Sequence, residues 1–155
     1  MKTRTILLTL ATLFAAIAVC FAATNVFLGT WKINEAKSMI APGGEKNSTV
    51  VYAPAGDDVK VTVDGVDASG KPTHSEWTGK FDGKDYPVTG GPASSTRSYT
   101  MVNDHTLNLV DKVGGKATET GTLVVSPDGK TRTVTITESD ANGNKITSTM
   151  VYDKQ

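Results

Sequence analysis

From Phe27 to the C-terminus the sequence is a succession of short runs in which apolar and polar residues alternate, cut at close intervals by turn-forming pairs and triplets. Val59-Lys60-Val61-Thr62-Val63-Asp64 is the cleanest of them, with its valines on one face and its polar residues on the other. A row that is apolar on one face only must bury that face against a partner. The junctions Asp82-Gly83-Lys84-Asp85, Asn103-Asp104, Gly114-Gly115, Pro127-Asp128-Gly129 and Asn142-Gly143-Asn144 are too short for parallel crossovers, so neighbouring strands run antiparallel.

This reading gives strands over 27–33, 48–53, 59–64, 72–81, 96–102, 105–112, 117–126, 130–139 and 145–152. Tyr86-Pro87-Val88 is at best an edge piece, because proline donates nothing to a ladder. Asn34 is placed to cap a short helical turn through Glu35, Ala36 and Lys37, which Pro42-Gly43-Gly44 must end. The expected fold is all-β: an antiparallel meander closed into a barrel of about eight or nine strands, with at most one short N-terminal helical turn. Closure is favoured over two packed sheets because it removes both edges.

The first 22 residues read differently. Lys2 and Arg4 precede an apolar run from Ile6 to Val19, and Cys20-Phe21-Ala22 offers small residues one and three places before a cut. A signal peptide over 1–22 and a single domain over 23–155 are therefore expected, in a secreted or periplasmic protein with no stable membrane insertion after cleavage. Ile17-Ala18-Val19 before Cys20 puts a β-branched residue where a lipoprotein signal wants a small one, leaving lipid anchoring at Cys20 as the lesser alternative. Cleavage after Ala22 removes the only cysteine, so stability must come from packing and pairing without a disulfide. The leader also removes two basic residues and no acidic one, which leaves the remainder slightly acidic. No block of either sign stands out, which argues against a nucleic-acid partner.

Gly29-Thr30-Trp31-Lys32, opening a strand-rich chain, resembles the first strand of the calycins, the lipocalins and intracellular fatty-acid-binding proteins. The chain is also similar to small secreted bacterial proteins that end in a stretch such as Val151-Tyr152-Asp153-Lys154-Gln155. The calycin resemblance implies that Trp31 plugs the closed end of the barrel beneath a basic residue, Lys154 or Arg132, with Gly29 allowing close approach of the chain. It also implies an open, lipocalin-like cup, since 34–44 is too short for a helix-turn-helix lid. Tyr152 matches the tyrosine of a fatty-acid carboxylate clamp, whereas Met150 stands where its arginine would be.

The expected inward residues are Trp31, Val61, Val63, Trp77, Phe81, Leu107, Leu109, Leu123, Val134 and Ile136. With Tyr152, all but the plug residue Trp31 are the candidate contacts for a small apolar or amphipathic ligand held in the barrel. Trp77 and Phe81 either stack on that ligand or fill the core. The alternative function is an envelope module that meets a protein or glycan through Ser75, Glu76, Tyr86 and the 90–95 loop, around a filled lumen. An enclosed apolar cavity would favour the first, and an exposed aromatic patch the second.

No catalytic constellation is expected, and no cofactor. Without Cys20 there is no thiolate, and nothing in the spacing selects a serine for His74 or His105. His74 and Glu76 share a strand face but lack an identifiable third metal ligand, and His105 reads as a surface hairpin residue. Asp82 to Asp85 lacks the alternating oxygen ligands of a calcium loop. Lys84, Lys130 and Lys145 would cluster if their turns shared one barrel end.

Overall fold

A computed structural model describes residues 25–140 and 142–155; the signal-peptide and Cys20 expectations lie outside the described residues. The strands are β1 (Gly29–Ile33), β2 (Lys46–Ala55), β3 (Asp58–Val66), β4 (Pro72–Gly79), β5 (Tyr86–Thr89), β6 (Ser95–Asn103), β7 (Thr106–Val113), β8 (Lys116–Val125), β9 (Thr131–Ser139) and β10 (Lys145–Lys154). Each pairs antiparallel with its sequence neighbours, and β1 pairs with β10 to close the barrel. Among the described residues no helix is long and apolar enough to cross a membrane.

The barrel thus has ten strands rather than eight or nine. The additional one is β5, which joins β4 through Glu76↔Thr89 and Trp77↔Val88, and β6 through Tyr86↔Arg97 and Pro87↔Thr96. Proline is accommodated because each half of this short strand pairs on a different side, so Pro87 has a register partner only in β6. A second correction concerns Asn34. Glu35–Lys37 does form a 3-10 turn, but the Asn34 side chain does not cap it; its Nδ2 donates to the Asp153 carboxylate at 2.8 Å. That charge-assisted bond fixes the orientation of the side-chain amide, and Oδ1 makes no bond to an amide of the turn.

Because the meander alternates in direction, the β2–β3, β4–β5, β6–β7 and β8–β9 turns lie at one end and the others at the opposite end. Lys84 and Lys130 therefore share an end, while Lys145 is at the other, and the three do not cluster. At Gly114-Gly115, φ is +58° and +82°, the left-handed pair that a two-residue hairpin needs.

The end that holds Trp31 is solid. Trp31 is fully buried, and its Nε1 donates to the Phe27 carbonyl at 2.8 Å. The Arg132 guanidinium lies 5.1 Å from the Trp31 ring, 5.2 Å from Tyr52 and 4.5 Å from Tyr152. Lys154 Nζ is 5.0 Å from the same indole and donates to the Val26 carbonyl at 3.2 Å. Both basic residues, rather than one, occupy the place expected over the plug. At Gly29, φ is +122°, and a Cβ there would stand 2.8 Å from Lys154 Cε. Phe81 and Trp77 stack at 6.3 Å and 12°, with Phe27 and Tyr99 edge-on to Phe81. Rings in these offset and edge geometries add to the stabilisation from burial alone.

Candidate functional site: an open cup with an ionisable rung

In four consecutive strands the side that carries core residues also carries one charged residue toward the open end. In β6 it is Arg97, two before buried Tyr99; in β7 it is Asp111, two after Leu109; in β8, Glu119, four before Leu123; in β9, Glu138, two after Ile136. The registers Arg97↔Asp111, Asp111↔Glu119 and Glu119↔Glu138 set the four side by side. This depends on an irregularity in the β7–β8 ladder, where Lys112 pairs with Ala117 and Asp111 with Glu119, so Thr118 is the extra residue. Such a bulge re-aims the side chains beyond it.

Arg97 Nε and Nη2 donate to the two Asp111 oxygens at 2.7 and 2.6 Å, a forked pair. Arg97 Nη1 reaches the Tyr99 hydroxyl at 3.5 Å, which accepts from Tyr52 at 3.3 Å, and the Arg97 carbonyl accepts from Trp77 Nε1 at 2.9 Å. That pair is self-neutralising. Its neighbour is not: burial pushes the Glu119 carboxyl up to about 8, the Asp111 charge adds to the rise and Arg97 opposes it. Glu138 is also raised, by burial and then by Glu45, although the Glu45 amide donates to it. Glu45 is raised by burial and by Asp67.

Glu45 reaches this rung because the segment after β1 runs along β10. Met39 pairs with Thr149, the Ala41 amide donates to Ser148 Oγ at 3.0 Å, and Gly44 N donates to Ala41 O at 2.9 Å. Together with Val63, Ser75, Val88, Ser95 and Val113, the rung lines a cup of about 670 Å³ at the open end. Beneath it, a separate space of about 40 Å³ lies among Tyr52, Tyr99, Glu119, Arg132 and Tyr152, a size suited to water.

The residues expected to hold a ligand are brought together as one core. Val61, Trp77, Leu107, Leu109, Leu123, Val134, Ile136 and Tyr152 are buried, and Phe81 is half-buried against them. Val63 alone of that set reaches the cup, while Trp77 and Phe81 stack on each other and line neither cavity. The surface expected for a partner does not form one face. Tyr86 turns onto Trp77 at 5.7 Å, Ser75 lines the cup, and Glu76 binds Lys60 outside at 2.8 Å. Among the described residues, the exposed large hydrophobic side chains, Met39, Met101, Val102 and Val124, include no aromatic ring.

Catalytic pairing is likewise not assembled. His74 Nδ1 is 2.6 Å from Asp64 and Nε2 is 3.9 Å from Glu76, on the exposed outer wall with no serine among these partners. His105 is half-buried rather than on the surface, its Nδ1 3.1 Å from the Val125 carbonyl. Among the described residues no group of three His, Cys, Asp or Glu is arranged to hold a metal ion. Asp82 accepts from the Lys84 amide and the Tyr86 hydroxyl, as a hairpin carboxylate does.

No protein-family model matches this chain, and no curated protein matches it. Solved structures do. One is described as EF1p2_mFAP2b bound to DFHBI, with a TM-score of 0.50 at 12% identity over 84% of this chain and 94% of that one. Others are a redesigned β-barrel, mFAP1, bound to DFHBI (0.42, 13%, 83% and 95%) and a de novo designed fluorescence-activating β-barrel (0.42, 14%, 84% and 94%). The likeness to the first is one of fold: this chain is a closed antiparallel β-barrel of that general kind.

Proposed function

We propose that this protein is an exported, non-enzymatic barrel of calycin type that takes a small amphipathic ligand into its open end. The observation that carries this reading is the cup of about 670 Å³ above a filled lower half, with the charged row on the β6–β9 wall, Val63 and Val88 on β3 and β5, and Val113 above Asp111 on β7. Sites of this volume, mixing apolar walls with a few convergent polar groups, suit small molecules. The first of the similar structures is described with DFHBI bound, and a small-molecule ligand on a chain of the same fold supports this reading. The outer wall carries Lys60, Asp64, His74 and Glu76, unlike the apolar belt of a membrane-spanning barrel. The leader pattern over residues 1–22 supports export.

Native mass spectrometry of protein taken from its own host tests the reading. A retained small-molecule adduct is expected, and it should be diminished in Ser75→Trp, which puts an indole into the cup. An adduct retained equally by that variant, or none together with no response to a panel of lipids and amphiphiles, contradicts it.

A further inference from the structure

Resting on the cup reading above, we propose that the cup selects ligands carrying a positively charged amine. The ammonium sits among Glu45, Glu119 and Glu138, and the apolar body lies against Val63, Val88 and Val113.

The argument is one of unmatched charge. Among the cations that line the cup, Arg97 is already forked onto Asp111, and Lys112 is paired with Asp85 at 2.7 Å. Asp67 at the rim is satisfied by its own turn, accepting from the Ser69 amide, the Ser69 hydroxyl and the Lys71 amide, with Lys71 beside it. The other three carboxyls, Glu45, Glu119 and Glu138, form no ion pair among the described residues, and the Arg97 charge that acts on Glu45 and Glu119 is shared with Asp111. Glu119 is the enclosed one, lining both cavities, and its surroundings supply charge and burial but no hydrogen-bond donor. An ammonium brings three donors and a full charge to such a place. An anionic head would meet the acidic wall, and a neutral one would bring it no compensating charge.

Proton release follows. The groups facing Glu119 are Asp111 from β7, Arg97 and Tyr99 from β6, Glu138 and Arg132 from β9, Tyr152 from β10 and Glu45 from the segment before β2; with burial the largest influence and the Asp111 charge next, it keeps its proton to about pH 8. A bound ammonium favours the ionised form, so binding near neutrality expels that proton and tightens as pH rises toward the unbound value.

Hexylamine, hexanoate and hexanol share one apolar body and differ only in the head, and the amine stays cationic through pH 9. Calorimetric titration of the protein with all three at pH 6, 7.5 and 9, in buffers of contrasting ionisation heat, is the test. Hexylamine is expected to bind at least about tenfold more tightly than the other two, to gain about tenfold from pH 6 to pH 9, and to release a proton at pH 7.5. Glu119→Gln, whose amide resembles the protonated acid and so preserves the fold, should abolish the proton release and weaken hexylamine several-fold. Glu138→Gln should weaken it while keeping the release. Tighter binding of hexanoate or hexanol overturns the amine selectivity and leaves the cup reading standing. Binding of none of the three overturns the selectivity and removes this support for the cup as well.

Discussion

Each half of the barrel buries one arginine, and the two are handled in opposite ways. Arg132, in the closed half, is 1% exposed, and its Nε and Nη1 have no hydrogen-bond partner; three aromatic rings receive its charge instead. Arg97, in the open half, is matched by a carboxylate with two short bonds. The ring-lined solution fills space, with a cavity of about 40 Å³ beside the guanidinium. The carboxylate solution takes one acid of a row and leaves the others facing a cup. Where a buried cation is met by rings the barrel closes; where it is met by an acid among acids, a polar recess results.

That contrast is most exposed to substitution at Trp31. Trp31→Ala removes the ring beneath Arg132 and Lys154 and should cost about 4 kcal/mol, measured by urea denaturation, with unfolding at ordinary temperature an acceptable extreme. Next come the arginines themselves. Arg97→Met strands Asp111 and should cost about 3 kcal/mol, whereas Arg132→Met removes a cation that had no acceptor and should stay within about 1 kcal/mol of the parent. The reverse order would break the comparison.

The third prediction follows from Glu119. In the unfolded chain this carboxyl ionises near its ordinary value of 4.5, whereas in the folded protein it holds its proton to about 8. Below the lower value both states are protonated and the group has no effect. As pH rises between the two values the unfolded state loses protons first, so stability falls, and above 8 the loss is complete. Glu119→Gln should therefore leave stability at pH 4 unchanged and raise it at pH 9 by about 2 kcal/mol, a figure reduced for the partial exposure of the side chain. Thermal melts across that range decide it. The smallest effect is expected on the outer wall, where Lys60→Ala breaks an exposed pair with Glu76 and should change stability by less than about 0.5 kcal/mol.

The closed half was legible in the sequence because its logic is local and periodic. Alternation in Val59 to Asp64 and around Leu107-Asn108-Leu109 predicted the inward rows, and Gly29 with Trp31 marked the plug. The Tyr86-Pro87-Val88 strand was undervalued because proline's penalty depends on which neighbour needs the amide, a matter of register. The rung was missed for a different reason. Asp111, Glu119 and Glu138 each sit on the apolar parity of their own strand, a visible signal, but hydrophobic counting passes over the charged member of an inward row. Their adjacency needed the Thr118 bulge, which alternation alone does not announce.

The division into a dry half and an open half is tested most directly by a soluble nitroxide, which broadens methyl resonances it can approach, in spectra of protein labelled at its valine methyls. Val63 and Val113, in the cup, should broaden steeply with added nitroxide, while Val61 and Val125, buried at the closed end, should stay sharp. Equal broadening of both pairs, or none in the cup pair, would contradict the account.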